Sequence, residues 1–117
     1  GVRHQMKIDL RSNEKLVRES GANLQRGVET VGGRLFLTDQ RLLFQSHSFN
    51  VQTGATEISL SDVKSTELCW TKFLGVIPLF PNSLAVRTNG GIEHRFVLSG
   101  RKQWAAAIGA QQQATGA

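Results

Sequence analysis

One cysteine, one methionine and two prolines are all that the 117 residues hold of these types, and acidic residues are in deficit. Each scarcity excludes something. Cys69 alone cannot close an internal disulfide, which fits a reducing compartment. No apolar run approaches the roughly 18 residues of a spanning helix. No N-terminal stretch joins a basic start, an apolar middle and a small-residue cleavage site, so no signal peptide is read. Met6 is taken as the natural start and residues 1–5 as an added extension. One domain is expected from the length.

Chemistry is also missing. His4, His47 and His94 stand apart from one another and from Cys69, without metal-type spacing. Asp9, Asp39 and Asp62 have no partner for acid–base work. The glycines of "SGANLQRG" and "TNGG" do not open a helix as a phosphate loop would. No cofactor, no metal and no enzymatic activity are expected. Cys69 reads as a small core hydrophobe and His94 as a hydrogen-bonded core histidine.

What the chain does have is positive charge: nine Arg and five Lys against nine acids, a net +5. That balance favours an acidic partner or an anionic surface. The basic residues are spread along the chain, however, so a merely basic soluble protein fits equally. A single-strand nucleic-acid surface needs aromatics interleaved with a basic groove. The outward faces of Arg34-Phe36-Thr38 and Arg41-Leu43-Gln45 offer one aromatic and two arginines, a thin match, and nucleic acid is not the expected partner.

The chain is organised in short strands. "GGRLFLTDQRLLFQS" alternates with period two on both sides of "TDQR", and Leu37 opposes Leu42 and Leu35 opposes Phe44 whether the loop has two residues or four. In "SLAVRTNGGIEHRFVL" a two-residue Asn-Gly turn would put Val86 against Glu93. A three-residue loop, Asn89 to Gly91, pairs Thr88 with Ile92, Val86 with His94, Leu84 with Phe96 and Arg87 with Glu93, and it is the one expected. "TEISL" and, after a bend at Ser61-Asp62, "KSTELCW" add strands, with "EKLVRES" before them and "HSFNVQTGA" as a loop. About seven strands at regular spacing indicate a sandwich or barrel. The period then changes: Ser99 is read as N-cap of a helix over "GRKQWAAAIGAQQQ", with Trp104, Ala105 and Ile108 as its apolar stripe.

Both prolines fall in "TKFLGVIPLFPN", residues 71–82, read as a loop. It carries Phe73, Leu74, Val76, Ile77, Leu79 and Phe80. Exposing six such side chains would forgo on the order of 10 kcal/mol. Three dispositions fit: the loop completes the core; Phe73, Leu74, Ile77 and Phe80 dip into a bilayer beside Lys72; or the same patch docks a protein, a second copy included.

"VGGRLFLTDQRLLF", "ISLSDV" and "PNSLAVRTNGGIEHRFVLSGRKQWAAAI" resemble, in order, the opening hairpin, the following strand and turn, and the last two strands and helix of GRAM domains. The resemblance runs from about Gly32 to Ile108. It implies a mostly β, pleckstrin-homology-like fold: a bent seven-stranded antiparallel sandwich or barrel capped by one C-terminal helix. It also implies a module that binds membranes, phosphoinositides or proteins. Lipid-binding pleckstrin domains carry a basic motif around their first two strands, where this chain has Lys15, Arg18, Arg26 and Arg34. The expected organisation is a flexible segment over 1–13, one domain over 14–110 and a disordered tail over 111–117. The expected role is peripheral attachment to anionic lipid at the cytoplasmic face of a membrane, or protein docking without lipid affinity.

Overall fold

The computed structural model describes residues 8–26, 29–47, 55–73 and 77–114, with Arg26, Glu29, 70–73 and 77–81 described by their backbone. Seven antiparallel strands and one helix follow in order: β1 Leu16–Arg26, β2 Glu29–Thr38, β3 Arg41–Ser46, β4 Thr56–Ser59, β5 Val63–Phe73, β6 Ile77–Thr88, β7 Glu93–Val97 and α1 Arg101–Ala114. A single 3₁₀ turn, Leu60–Asp62, forms the bend between β4 and β5. The strands make one sheet in the order β4-β3-β2-β1-β7-β6-β5. β1 and β7 share only three residue pairs, Asn23 to Gln25 with Val97 to Arg95. That short seam lets the two halves fold over each other around the core.

Both hairpins take the expected register. Leu37 opposes Leu42 and Leu35 opposes Phe44, so large apolar side chains share the inner face. In the second hairpin Val86 faces His94, Arg87 faces Glu93 and Leu84 faces Phe96. The Thr88 N–H donates to the Ile92 carbonyl across a loop that ends on Gly91, whose φ of 89° is a conformation glycine adopts without strain. Arg87 Nε donates to Glu93 at 3.0 Å on the outer face.

The core holds Leu24, Leu35, Leu37, Leu42, Phe44, Ile58, Leu84, Val86, Phe96, Trp104 and Ile108. Gly33 lies where β2 passes β3 so closely that a Cβ would overlap the Gln45 carbonyl oxygen and sit 2.7 Å from Phe44 Cζ. Gly33→Ala is expected to lower stability by about 2–3 kcal/mol through overpacking, read as a lower urea midpoint with an unchanged slope. A midpoint equal to wild type would show that the hairpin yields freely there.

Several expectations change. The face Phe36-Thr38-Arg41-Leu43 is buried rather than outward. The N-terminal segment covers part of it: Arg41 donates to the Asp9 carbonyl and to Glu14. Residues 8–13 of the segment expected to be flexible are therefore tied down, and Arg11 also pairs with Glu57 at 2.7 Å. β1 runs to Arg26, through the glycine-containing "SGANLQR". Ile92 closes the turn instead of entering β7 and stays 60% exposed. His94 and Cys69 are half-buried, not sealed in the core.

At the other end, the first helical bond runs from the Trp104 N–H to the Gly100 carbonyl, so Gly100 and not Ser99 takes the cap position. The helix continues to Ala114, through four residues of the expected tail. Its last turn is held because the Gln112 side-chain amide donates to the Val63 and Leu60 carbonyls at 2.8 and 3.3 Å. Residues 48–54 of the expected loop "HSFNVQTGA" and residues 115–117 lie outside the described residues.

Candidate functional site

The proline-bearing segment is not mainly a loop. β5 runs to Phe73 and β6 starts at Ile77, with Phe73 opposite Ile77, Lys72 opposite Pro78 and Thr71 opposite Phe80. Between these pairs and Cys69–Ser83, β6 carries two more residues than β5. Those are bulges, the positions at which a strand accepts residues without a ladder N–H. Pro81 falls within the first of these irregularities, and Pro78, opposite Lys72, lies directly beside the second. Of the expected contact residues, Lys72, Phe73, Ile77 and Phe80 belong to this hairpin. Leu74 and Val76 lie outside the described residues.

The hairpin is also long. β6 meets β7 only as far as Ser83–Val97. Beyond that pair, β5 and β6 have only each other as ladder partners among the described residues and run on as an arm, about 13 Å for the four residues 70–73 at strand rise. β5 is moreover an edge strand of the sheet.

The four expected basic residues do not converge. Lys15 is exposed just before β1, while Arg26 ends that strand, about 35 Å away at strand rise. Arg34 sits on the outer face, 3.5 Å from Glu19. Arg18 points the other way, onto the core, with its Cζ 5.4 Å from the Trp104 ring centroid. That distance allows a cation–π contact.

What gathers instead is a corner at the base of the arm. A cavity of about 640 Å³ opens where β1 parts from β7, lined by Gly21, Gly33, Asn23, Ser99, Gly100 and Arg101 among others. Arg101 donates through Nη1 to the Cys69 carbonyl at 2.7 Å, which ties α1 to β5. Arg18 is not among the lining residues, although its Nη2 would lie 3.3 Å from a Cβ on Gly100. Sequence reasoning missed Arg101 and the cavity. Arg101 is 83 residues from Arg18 in the chain, and no local pattern links them.

The remaining charge is structural. Arg41 and Glu14 form a buried pair at 2.8 Å, and Glu14 also accepts from the Thr38 hydroxyl at 2.6 Å. The Arg41 hydrogen bonds hold the Glu14 carboxyl down at about 2, against the opposing effect of burial. Burial pushes the His94 pKa down. Among the described residues no three His, Cys, Asp or Glu side chains gather as a metal site needs, and no helix is long and apolar enough to cross a membrane.

Comparison of the sequence with curated proteins finds no match. Solved structures share the fold. The C-terminal domain of an unknown protein from Leishmania infantum is 21% identical, with a TM-score of 0.70 over 86% of this chain and 85% of that one. The Vps36 N-terminal PH domain is 17% identical, with a TM-score of 0.62 over 86% and 83%. The hSac2 domain from human phosphoinositide phosphatase Sac2 is 16% identical, with a TM-score of 0.66 over 92% and 76%. The family model described as GRAM domain matches residues 2–112, and the bent seven-stranded sheet with its C-terminal helix is the pleckstrin-homology-like fold expected of it. The family match supports, in general terms, a module that binds lipid or protein. The chain belongs to the GRAM domain family.

Proposed function

We propose that this domain attaches peripherally to anionic membrane lipid at the cytoplasmic face, using the β5–β6 arm as its apolar contact. The observation that carries this reading is the arm itself, a stretch of β5–β6 with no other strand beside it among the described residues, which holds Lys72, Phe73, Ile77, Leu79 and Phe80. A single lightly inserted segment gives weak, reversible attachment, so a second, electrostatic contact is required. Basic residues near an anionic leaflet add about 1 kcal/mol each. Arg101, whose Nη1 meets the Cys69 carbonyl at the base of the arm, supplies it in this reading, whereas Lys15, Arg26 and Arg34 are dispersed from the start of β1 to β2.

Co-sedimentation with neutral and anionic vesicles at low and high salt tests this. The wild type should pellet with anionic vesicles at low salt, and a folded Phe73→Ser, Phe80→Ser double variant should stay in the supernatant. Failure of the wild type to pellet under every condition would sink the reading.

The second reading is protein docking, self-association included, and the open edge of β5 favours it. An unpaired edge offers main-chain donors and acceptors to another chain. It predicts a sedimentation coefficient that rises with protein concentration and is indifferent to lipid.

A further inference from the structure

The β5–β6 ladder is regular only in its middle. Its register shifts between Val63 and Ser65 and again between Cys69 and Thr71, while Ser65 to Cys69 pair in unbroken order with Arg87 back to Ser83. Helix α1 meets β5 at both shifts. The Gln112 amide donates to the Val63 carbonyl at 2.8 Å, and Arg101 Nη1 donates to the Cys69 carbonyl at 2.7 Å. Arg101 and Gln112 stand about 16 Å apart along a helix, and Val63 and Cys69 about 20 Å apart along a strand. The helix thus runs back along β5 and grips it at the two points where the ladder slips. Trp104 and Ile108, between the grips, are fully buried, so α1 cannot move without opening the core.

The grip at Cys69 lies at the root of the arm. Cys69 pairs with Ser83, the residue at which β6 parts from β7. A two-stranded ribbon is marginally stable by itself in water, so the arm's direction has to come from its root. We propose that Arg101 is the positioning residue of the arm: its hydrogen bond fastens the arm's first residue pair to the buried helix and holds the arm in one direction. A guanidinium suits that task. A charged donor bonds a carbonyl more strongly than a neutral one, and its planar fork loses little freedom per bond formed. Only the consequence for binding rests on the membrane reading above: an arm already directed loses less conformational freedom on contact than a loose one.

The test is nitrogen relaxation of the isotope-labelled full chain without lipid. Wild-type amides at Thr71, Lys72, Phe73 and Ile77 should show order parameters of about 0.85, falling below about 0.6 in Arg101→Ala. Amides of β2 and β3 should not change. Gln112→Ala, which releases the other grip, should loosen the last turn of α1 and leave the arm as it is. Arg101→Lys keeps a charged donor of similar reach and should restore part of the order. An arm that stays ordered in Arg101→Ala, that loosens as much in Gln112→Ala, or that is already loose in the wild type would overturn the proposal. So would a loss of order that spreads to β2 and β3, since Arg101 would then serve general stability.

Vesicle co-sedimentation of the same proteins separates this inference from the membrane reading. A wild type that never pellets, with an arm loosened by Arg101→Ala, removes the membrane reading and leaves the positioning role standing. A wild type that pellets, with an arm indifferent to Arg101→Ala, overturns the positioning role and leaves the membrane reading standing.

Discussion

Trp104→Ala should destabilise the domain by about 3–5 kcal/mol, a large part of the roughly 5–15 kcal/mol that holds a domain of this size together. Trp104 is fully buried and is the largest side chain in the core. It projects from α1 into the space between the two halves of the bent sheet, and α1 is the element that closes that space. Replacing the indole with a methyl group opens a cavity that the rigid strands around it cannot collapse to fill. It also strips Arg18 of the ring it stacks on. The indole Nε1–H meets no acceptor, so Trp104→Phe removes an unsatisfied donor along with some volume, and its loss should be much smaller, about 1–2 kcal/mol. Chemical denaturation of the two variants checks the order. Equal losses would mean that the ring's volume is not what α1 contributes.

Glu14→Gln carries the second large effect, about 3–5 kcal/mol, because it leaves the buried Arg41 guanidinium without its main counter-charge. The Glu14 side chain is fully buried and Arg41 nearly so. Arg41 would retain Glu57, at 2.8 Å, and the Asp9 carbonyl. The Thr38 hydroxyl, which donates to Glu14 and accepts the Gln40 and Arg41 N–H groups, would exchange a charged acceptor for a neutral amide oxygen, a weaker bond at the β2–β3 turn. A double variant with Arg41→Met should lose less than the sum of the two single changes, as for groups in one network.

The same pair sets a pH dependence. Glu14 titrates near 2 in the folded protein and at about 4.5 when unfolded, so between those values the unfolded chain binds more protons. Stability therefore falls with falling pH. The contribution, roughly 3 kcal/mol, is complete above pH 4.5 and lost as pH approaches 2. His94, whose pKa is lowered by burial, adds a loss of the same sign that begins below its unfolded value of 6.5. In Glu14→Gln the step below pH 4.5 should shrink and the His94 step remain. A wild-type stability profile flat from pH 5 to 2.5 would count against the buried pair.

Local patterns fixed the hairpins because strand alternation and turn chemistry act between neighbours in the chain. The opposed Leu37–Leu42 and Leu35–Phe44 pairs left one register for β2–β3, and a left-handed glycine after Asn89 left one for β6–β7. The helix was legible from Trp104, Ala105 and Ile108, and the family from the order of these pieces. Which face of β2–β3 meets water was not, since residues 9 and 14 cover Arg41 and Thr38 from 24 to 32 positions away. Nor was the arm: prolines in a sequence announce a turn, and only pairing with β5 reveals the bulges that keep them in a strand. The approach of Arg18 to Gly100 was the least legible of all. β1 enters the core face at Arg18, β7 hands the chain to α1 at Gly100, and only the bend that parts β1 from β7 brings those two points together. The sequence by itself determined strand, turn and helix, because those depend on side chains a few residues apart. The tertiary structure alone decided which charges were buried and paired, because burial and pairing depend on what arrives from elsewhere in the chain.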